Sequence, residues 1–259
     1  MSDMIYRPLI EDMTWSYSRI KCFGDCPYRF YLKYISGCKE IPQFYASYGS
    51  FMHKLIEEFY RGKLTKEEML TKFLFDFHTE VQGERPKEST VSKYIQCGVE
   101  YLRTFSPFPY KMIDVEKRVE FEISGKKFIG FIDYLGEKDG EYYIVDNKSR
   151  ELKPRSKRAK PTVKDQELDE MLKQLYLYAV AVKQEYGKFP KALCFNCFKN
   201  GVFIEEPFSE KVFSETIEWF LKTIDNIADE NDFLPYLDYF SCKNICGVKD
   251  ECCYYELGV

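Results

Sequence analysis

The apolar pattern changes its period near residue 110, and this change restricts the fold more than any other feature of the sequence. Before it, apolar residues recur at helical intervals, which predicts a helix from Ser16 or Ser18 to about Ser36 and further helices over 48–61, 65–80 and 88–105. After it, residues 115–123, 127–135 and 141–148 alternate or run apolar between Ser-Gly and Asp-Gly turn signals. A mostly helical first part is therefore followed by three antiparallel strands.

The rest of the chain returns to a mixed pattern. Residues 167–186 predict a helix that crosses the sheet, residues 192–198 and 202–206 predict a second hairpin, and residues 209–228 predict another helix. The sequence thus indicates a single unit of the α/β or α+β class, with helices flanking a mixed sheet. Its parts are a helical portion at 1–110, a core at 111–230 and a cysteine-rich C-terminal segment at 231–259.

Composition restricts the environment of the protein. The 259 residues are 45% hydrophobic and 17% aromatic, which is enough for a buried core. No stretch approaches the roughly 18–20 apolar residues of a membrane span, and the opening residues do not resemble a secretory signal. We expect a cytoplasmic protein that does not contact membranes, in which the ten cysteines are metal ligands or core thiols rather than disulfides.

Positive charge is concentrated in one segment. The net charge of −4 argues against a protein that coats nucleic acid through bulk charge. Residues 148–164, however, read KSRELKPRSKRAKPTVK, with Glu151 as the only acid. Such a run is often a solvated, mobile loop, but its position directly after the third strand also suits contact with nucleic acid. The residues expected to bind DNA are Arg150, Lys153, Arg155, Lys157 and Arg158.

Two neighbouring apolar strands end in acidic residues. One carries Asp133 after GFI, and the other carries Asp146 and Lys148 in IVDNK. Residues i and i+2 of a strand share a face, so Asp146 and Lys148 point to one place beside Asp133. A lone acid at a strand end is usually a solvated turn residue, but two acids and a lysine together suit a magnesium ion that activates water. The pattern predicts a hydrolytic metal site.

These segments carry a family resemblance. GFIDYL followed by IVDNKS resembles the second and third motifs of the PD-(D/E)xK nuclease superfamily, and Asn147 falls at a variable position of the third motif. The resemblance implies a restriction-endonuclease-like sheet, Mg²⁺ or Mn²⁺ on Asp133 and Asp146, and a role for Lys148 in positioning the attacking water.

Three flanking features resemble the RecB-like branch, which includes AddAB nuclease domains and CRISPR-associated adaptation exonucleases. The helix with GSFMH implies that His53 is a third metal ligand, and Gln174 and Tyr178 match the QxxxY motif. That pair would orient Lys148 or contact a DNA phosphate. The branch also often carries an acid on the preceding strand. Glu116 and Glu120 share one face by parity, so the sequence does not choose between them.

The N-terminal segment CPYRFYL resembles the helix of AddB-type nucleases whose cysteine binds an iron–sulfur cluster together with three C-terminal cysteines. The resemblance implies a 4Fe-4S cluster that joins the two chain ends through Cys26, Cys242, Cys246 and Cys252. Three residues separate Cys242 from Cys246 where the family more often has two, which leaves Cys253 as an alternative to Cys252. Cys22, one helical turn before Cys26, is another alternative ligand. By spacing alone, zinc is an equally good occupant of four thiolates.

The expected function is therefore that of a metal-dependent DNA nuclease, acting as an exonuclease on single strands or duplex ends. No helicase phosphate loop, GxxxxGK[ST], occurs in the sequence, so unwinding would come from a partner such as a helicase, or the enzyme would act within a recombination or CRISPR integrase complex. The alternative is a DNA-binding or assembly module that has the same fold and needs no metal ligands.

Overall fold

A five-stranded mixed sheet carries the catalytic motifs. The computed structural model describes residues 5–259, and the first four residues of the N-terminal stretch that we compared with a secretory signal lie outside this range. The strands are adjacent in sequence order, and only β3 and β4 run parallel. The strands are β1 (Lys111–Ile123), β2 (Lys126–Lys138), β3 (Glu141–Lys148), β4 (Ala192–Cys197) and β5 (Val202–Pro207).

Helices flank this sheet, which confirms the expected fold class. They are α1 (Arg7–Glu11), α2 (Tyr17–Asp25), α3 (Pro27–Phe30), a π-helix (Tyr31–Ile35), α4 (Phe44–Tyr60), α5 (Lys66–Glu80), α6 (Glu88–Thr104), α7 (Val163–Tyr186), α8 (Glu210–Ala228), α9 (Tyr239–Asn244), a 3₁₀ turn (Lys249–Glu251) and α10 (Tyr255–Gly258). In the described part of the chain, no helix is both long and apolar enough to cross a membrane.

The long helix α7 makes the crossover that a parallel strand pair requires. It begins with a capping box, in which the Thr162 side chain accepts from the Asp165 backbone and the Asp165 carboxylate accepts from the Thr162 backbone. It ends at Gly187, whose left-handed φ of 78° suits a residue without a Cβ. Its apolar side chains pack in the main core together with the sheet, and this packing fixes the position of Gln174 against β3.

The prediction of one helix from Ser16 or Ser18 to Ser36 is wrong. Cys26 interrupts it with an extended backbone (φ −165°, ψ 107°), and α3 begins at Pro27. A residue before proline is disfavoured in the α region, and proline suits the first position of a new helix. The short helices α1 and α9 were not predicted. The other predicted helices and all five strands are present, with ends shifted by a few residues.

Helices α4, α5 and α6 form a second core of their own, with Phe73 at its centre. Gly98 of α6 lies so close to the Phe73 ring that an added Cβ would come within 2.3 Å of it. This packing holds α4 against the sheet, where one face of the helix meets the middle of β2 and the end of β3.

The C-terminal segment returns to the first part of the chain. The backbone N–H of Ile41 donates to the Gly247 carbonyl at 2.7 Å, and Lys249 pairs with Glu84 at 2.7 Å. The Tyr254 ring packs edge-on against Tyr28, with 4.8 Å between the ring centroids. The N-terminal and C-terminal cysteines therefore lie on neighbouring elements, as expected. The boundaries proposed for the three portions of the chain remain a prediction.

Candidate active site

An open cleft of about 730 Å³ lies between α4, the middle of β2 and the end of β3. Asp133 does not end its strand as expected, because β2 continues past it to Lys138. Five of the expected site residues line it together with one of the two candidate glutamates: His53, Glu116, Asp133, Asp146, Lys148 and Gln174.

The two motif acids are placed by strand pairing. Tyr134 pairs with Val145 in the β2–β3 register, so Asp133 and Asp146 are the next opposing residues. Both are nearly covered, with 7% and 3% of their surface exposed. The backbone N–H of Asn147 donates to Asp133 Oδ2 at 2.6 Å, which fixes that carboxylate against the neighbouring strand.

The structure brings Glu116, not Glu120, to this place. His53 Nδ1 lies 3.4 Å from Asp133 Oδ2 and 3.7 Å from Glu116 Oε1, and one ligand atom from each of the three residues lies within 4.8 Å of the others. Among residues 5–259, this is the one such group. Glu116 has a left-handed backbone (φ 49°), a strained conformation that is common at functional sites. Glu120 is exposed and pairs with Arg118.

Charge is unbalanced in this group. Burial lowers the pKa of His53, but the Asp133 charge and the hydrogen bond to Glu116 outweigh burial and raise that pKa to about 9. Burial raises the pKa of Asp133 to about 7, with further contributions from Asp146 and Glu116, against the opposing charge of His53. This grouping of acidic side chains around one imidazole, in an open cleft, is the arrangement expected around a bound cation.

The donor set suits a hard divalent ion. Asp146 Oδ2 is buried, and in the described part of the chain its close partner is the ammonium of Lys148, whose Nζ lies 2.6 Å away. A carboxylate held by a single ion pair can also accept a metal ion. Carboxylate oxygens and an imidazole are ligands that manganese and magnesium accept.

Lys148 is held from α7 by a chain of hydrogen bonds. Its Nζ donates to Gln174 Oε1 at 2.8 Å, and Gln174 Nε2 donates to Tyr178 Oη at 3.1 Å. Burial raises the pKa of Tyr178, so its phenol stays neutral. Gly130 makes room for it, because a Cβ there would lie 2.3 Å from the Tyr178 ring. The structure therefore places Gln174 where it orients Lys148.

A buried polar network was missed by sequence reasoning. Asn196 on β4 is opposite Asn147 in the strand register, and its Nδ2 lies 2.7 Å from both Asn147 Oδ1 and Tyr101 Oη. The network links the Asn147 strand to α6, behind the cleft. The available signal was an asparagine inside the otherwise apolar strand ALCFNC.

The basic segment is partly tied down rather than free. Arg150 pairs with Glu167. Arg155 pairs with Asp169 at 2.7 Å and with Glu206 at 2.7 Å. Three of the five residues expected to bind DNA are exposed and make no ion pair within residues 5–259; they are Lys153, Lys157 and Arg158.

The expected cluster cysteines are neighbours. Cys26 accepts a hydrogen bond from the backbone N–H of Arg29 at 3.4 Å. Burial raises the pKa of Cys252, and the nearby Cys26 and Cys242 thiols raise it further. Burial likewise raises the pKa of Cys246, with contributions from Cys252 and Cys26. All the cysteines are free thiols.

Cys253, the alternative to Cys252, is turned toward a tyrosine. It is exposed, and its sulfur lies 3.3 Å from Tyr28 Oη. Cys252 is more covered and neighbours the other thiols of the group.

A mixed sheet that carries two opposing acids and a lysine on adjacent strands has the arrangement of a PD-(D/E)XK nuclease core. The model of the PD-(D/E)XK nuclease superfamily matches residues 14–253. This chain belongs to that superfamily.

One solved structure has a similar fold. A crystal structure of a candidate exonuclease from Eubacterium rectale is 13% identical and covers 88% of this chain and 86% of its own, with a TM-score of 0.51. The crystal structure of SSO0001 is 17% identical and covers 72% of this chain and 94% of its own, with a TM-score of 0.32 that is too low to indicate a shared fold. No curated protein sequence matches.

The grouping of His53, Glu116 and Asp133 predicts that metal binding releases protons. A ligand must lose its proton to bind, so near neutral pH an ion displaces a proton from His53, whose pKa is about 9, and some from Asp133, whose pKa is about 7. Affinity for Mn²⁺ should therefore rise as pH rises toward 9, by about tenfold per pH unit for each proton released.

Calorimetric titration of Mn²⁺ in buffers of different ionisation enthalpy measures the released protons. His53→Gln is the matched variant, and it should release fewer protons near neutral pH, by less than one, because loss of the His53 charge also raises the pKa of Asp133. Equal apparent enthalpies in all buffers would show that no proton leaves, and would remove His53 from the ligand set.

Proposed function

We propose that this protein is a metal-dependent DNA exonuclease in which His53, Glu116, Asp133 and Asp146 hold a Mg²⁺ or Mn²⁺ ion. The observation that carries the proposal is the convergence of these residues with Lys148 in one cleft. When bound, such an ion lowers the pKa of a coordinated water and neutralises charge on a phosphate. We propose an exonuclease in particular because the Eubacterium rectale protein with a similar fold is described as a candidate exonuclease.

The chain's own groups would do the remaining work. Lys148, held by Gln174, presents an ammonium group to the cleft, where it would orient the attacking water and stabilise the charge that develops on the phosphate. The Asn147 N–H keeps Asp133 from turning away. Lys153, Lys157 and Arg158 would hold the flanking backbone of DNA. A helicase, or a recombination or CRISPR integrase complex, would supply free ends.

We also propose that Cys26, Cys242, Cys246 and Cys252 bind a structural 4Fe-4S cluster. A tetrahedral zinc site with Zn–S bonds of 2.3 Å places its sulfurs about 3.8 Å apart. In the described residues, no three of these sulfurs lie within 4.8 Å of one another. The preference for a 4Fe-4S cluster over zinc rests on the resemblance of CPYRFYL to the cluster-binding helix of AddB-type nucleases.

Cleavage of end-labelled DNA with Mg²⁺ or Mn²⁺ tests the catalytic proposal. Asp146→Ala should abolish cleavage, because it removes a carboxylate from the metal site, and should leave DNA binding intact. Glu116→Gln should lower the rate at least about tenfold. Its matched control, Glu120→Gln, lies on the same strand outside the site and should cleave at the wild-type rate.

Undiminished cleavage by Asp146→Ala would contradict the mechanism. If the wild-type protein binds DNA but does not cleave it with either metal, the DNA-binding or assembly module becomes the better description. Release of mononucleotides from a labelled end, rather than internal fragments, is the expected pattern for an exonuclease.

If the basic segment contacts DNA, reversing a charge inside it should affect DNA binding more than reversing a charge elsewhere on the surface. Lys157→Glu should weaken DNA binding and lower the slope of log affinity against log salt by about 0.7 for single strands and about 0.9 for duplex, because a phosphate contact is lost. Lys211→Glu reverses an exposed charge on α8, and should change neither quantity beyond a small general effect. Fluorescence anisotropy across a salt series measures both. Identical slopes in the two variants would remove the segment from the interface.

If the four cysteines bind a 4Fe-4S cluster, the purified protein should be coloured and should contain iron. Protein purified without oxygen should show broad visible absorbance and about four irons per chain. Cys252→Ser should lose both, whereas Cys253→Ser, which changes the thiol directed at Tyr28, should keep them. Colourless protein with one zinc per chain would assign the thiols to zinc instead. If Cys253→Ser lost the absorbance and the iron while Cys252→Ser kept them, Cys253 would be the ligand.

A further inference from the structure

Tyr45 lies on the same face of α4 as the histidine of the active site. Tyr45, Gly49 and His53 are spaced four residues apart, so they form one stripe along the helix, and all three line the catalytic cleft. At 1.5 Å of rise per residue, Tyr45 is about 12 Å along the helix from His53. It is therefore placed to meet a base close to the phosphate held in the site.

The floor of the cleft between these two residues carries only small side chains. Ala46 and Ser50 are exposed and line the cleft beside Gly49. A Cβ at Gly49 would lie 3.2 Å from the Ser149 hydroxyl oxygen, so a larger residue there would press on the turn after β3. A DNA strand can lie along α4 from Tyr45 to His53 without meeting a bulky side chain.

Tyr45 lines the cleft and contacts two further aromatic rings beside it. Its ring centroid is 5.7 Å from that of Phe240 in α9 and 5.4 Å from that of Tyr94 in α6. Lys199 Nζ lies 5.6 Å from the Tyr94 centroid at the far end of the row. We call Phe240, Tyr45 and Tyr94 the aromatic row. Rings beside a cation, at the edge of a phosphate-binding cleft, form the pattern found in proteins that bind single strands.

Core packing accounts for part of the row, because Tyr45 and Tyr94 are partly buried against the second core, but it does not account for Phe240. Phe44 and Tyr48, the neighbours of Tyr45 on α4, are each only 1% exposed and pack against Tyr94 from within. Phe240, in contrast, is 52% exposed. We interpret this exposed ring, which contacts a residue lining the cleft, as part of a binding surface. Within a duplex, neighbouring base pairs cover both faces of each internal base and only the outer face of the terminal pair is open, whereas an unpaired base offers a face to such a ring at any position.

We propose that Tyr45, backed by Phe240, stacks on an unpaired base of the substrate and selects single-stranded ends without regard to sequence. This inference rests on the proposed nuclease function and adds two specificity-determining residues to it. Stacking uses the flat face that every base has, so the row discriminates paired from unpaired DNA and not one base from another.

The test measures binding rather than cleavage. In the Asp146→Ala background with EDTA, anisotropy compares a labelled oligothymidylate with an abasic oligomer of the same length, which has the same phosphates but no bases. Tyr45→Leu should weaken binding of the oligothymidylate by about five- to a hundredfold, and should leave binding of the abasic oligomer unchanged. Phe240→Leu should act in the same direction with a smaller effect.

Matched variants separate stacking from structural damage. Tyr45→Phe keeps the ring and should bind like the parent, while Phe75→Leu removes an 82% exposed ring of α5 that lies outside the cleft and should have no effect. Equal losses on both oligomers would show that Tyr45 supports the fold or the phosphate contacts, and would overturn the proposal.

Unchanged binding by both Tyr45→Leu and Phe240→Leu would also overturn it, and would assign the row to packing of the C-terminal segment or to contact with another protein. Because no step of the test requires cleavage, a wild-type protein that cleaves nothing would refute the nuclease function and leave the stacking result intact.

Discussion

The pairing of β2 with β3 is the constraint on which the rest of the site depends. It sets Asp133 opposite Asp146 and brings the backbone N–H of Asn147 to the Asp133 carboxylate. A slip of the register by one residue would turn every side chain of a strand to the other face of the sheet and disperse the acids. The Asn147–Asn196–Tyr101 network fixes β3 against β4 and α6, because a displacement of β3 along β4 would leave buried polar groups without partners.

Burying the acids has an electrostatic cost, which nearby cationic groups offset. Burial disfavours the charged form of Asp133, and the Asp146 carboxylate lies beside it. His53 on α4 lies next to Asp133, and Lys148 on β3 lies next to Asp146 and is oriented by Gln174 from α7. The helical portion and the crossover helix are thus part of the site, and the sheet alone would not keep these acids ready for a cation.

Local pattern was enough to predict the strands and the motif residues, since strand alternation and the spacing of Asp146 and Lys148 are properties of a few neighbouring residues. Local pattern could not decide between Glu116 and Glu120, because strand alternation places both on the same face. They are distinguished by the left-handed backbone at Glu116 and by its contact with His53, and neither can be read from the sequence. The ion pairs of Arg155 join it to residues on α7 and β5, and no local charge pattern reveals such partners. The break at Cys26 was readable from Pro27, but helical periodicity on both sides concealed it.

The C-terminal segment and the cleft are mechanically connected through the start of α4. Gly247 bonds to Ile41 just before that helix, and Phe240 contacts Tyr45 in its first turn. Helix α4 is continuous from there to His53, so a displacement of its first turn reaches the histidine along a rigid element. Cys242 and Cys246 lie in the same segment as these contacts. A group bound by these thiols would therefore hold both ends of the substrate path, the stacking residue and the histidine, although it takes no part in the chemistry.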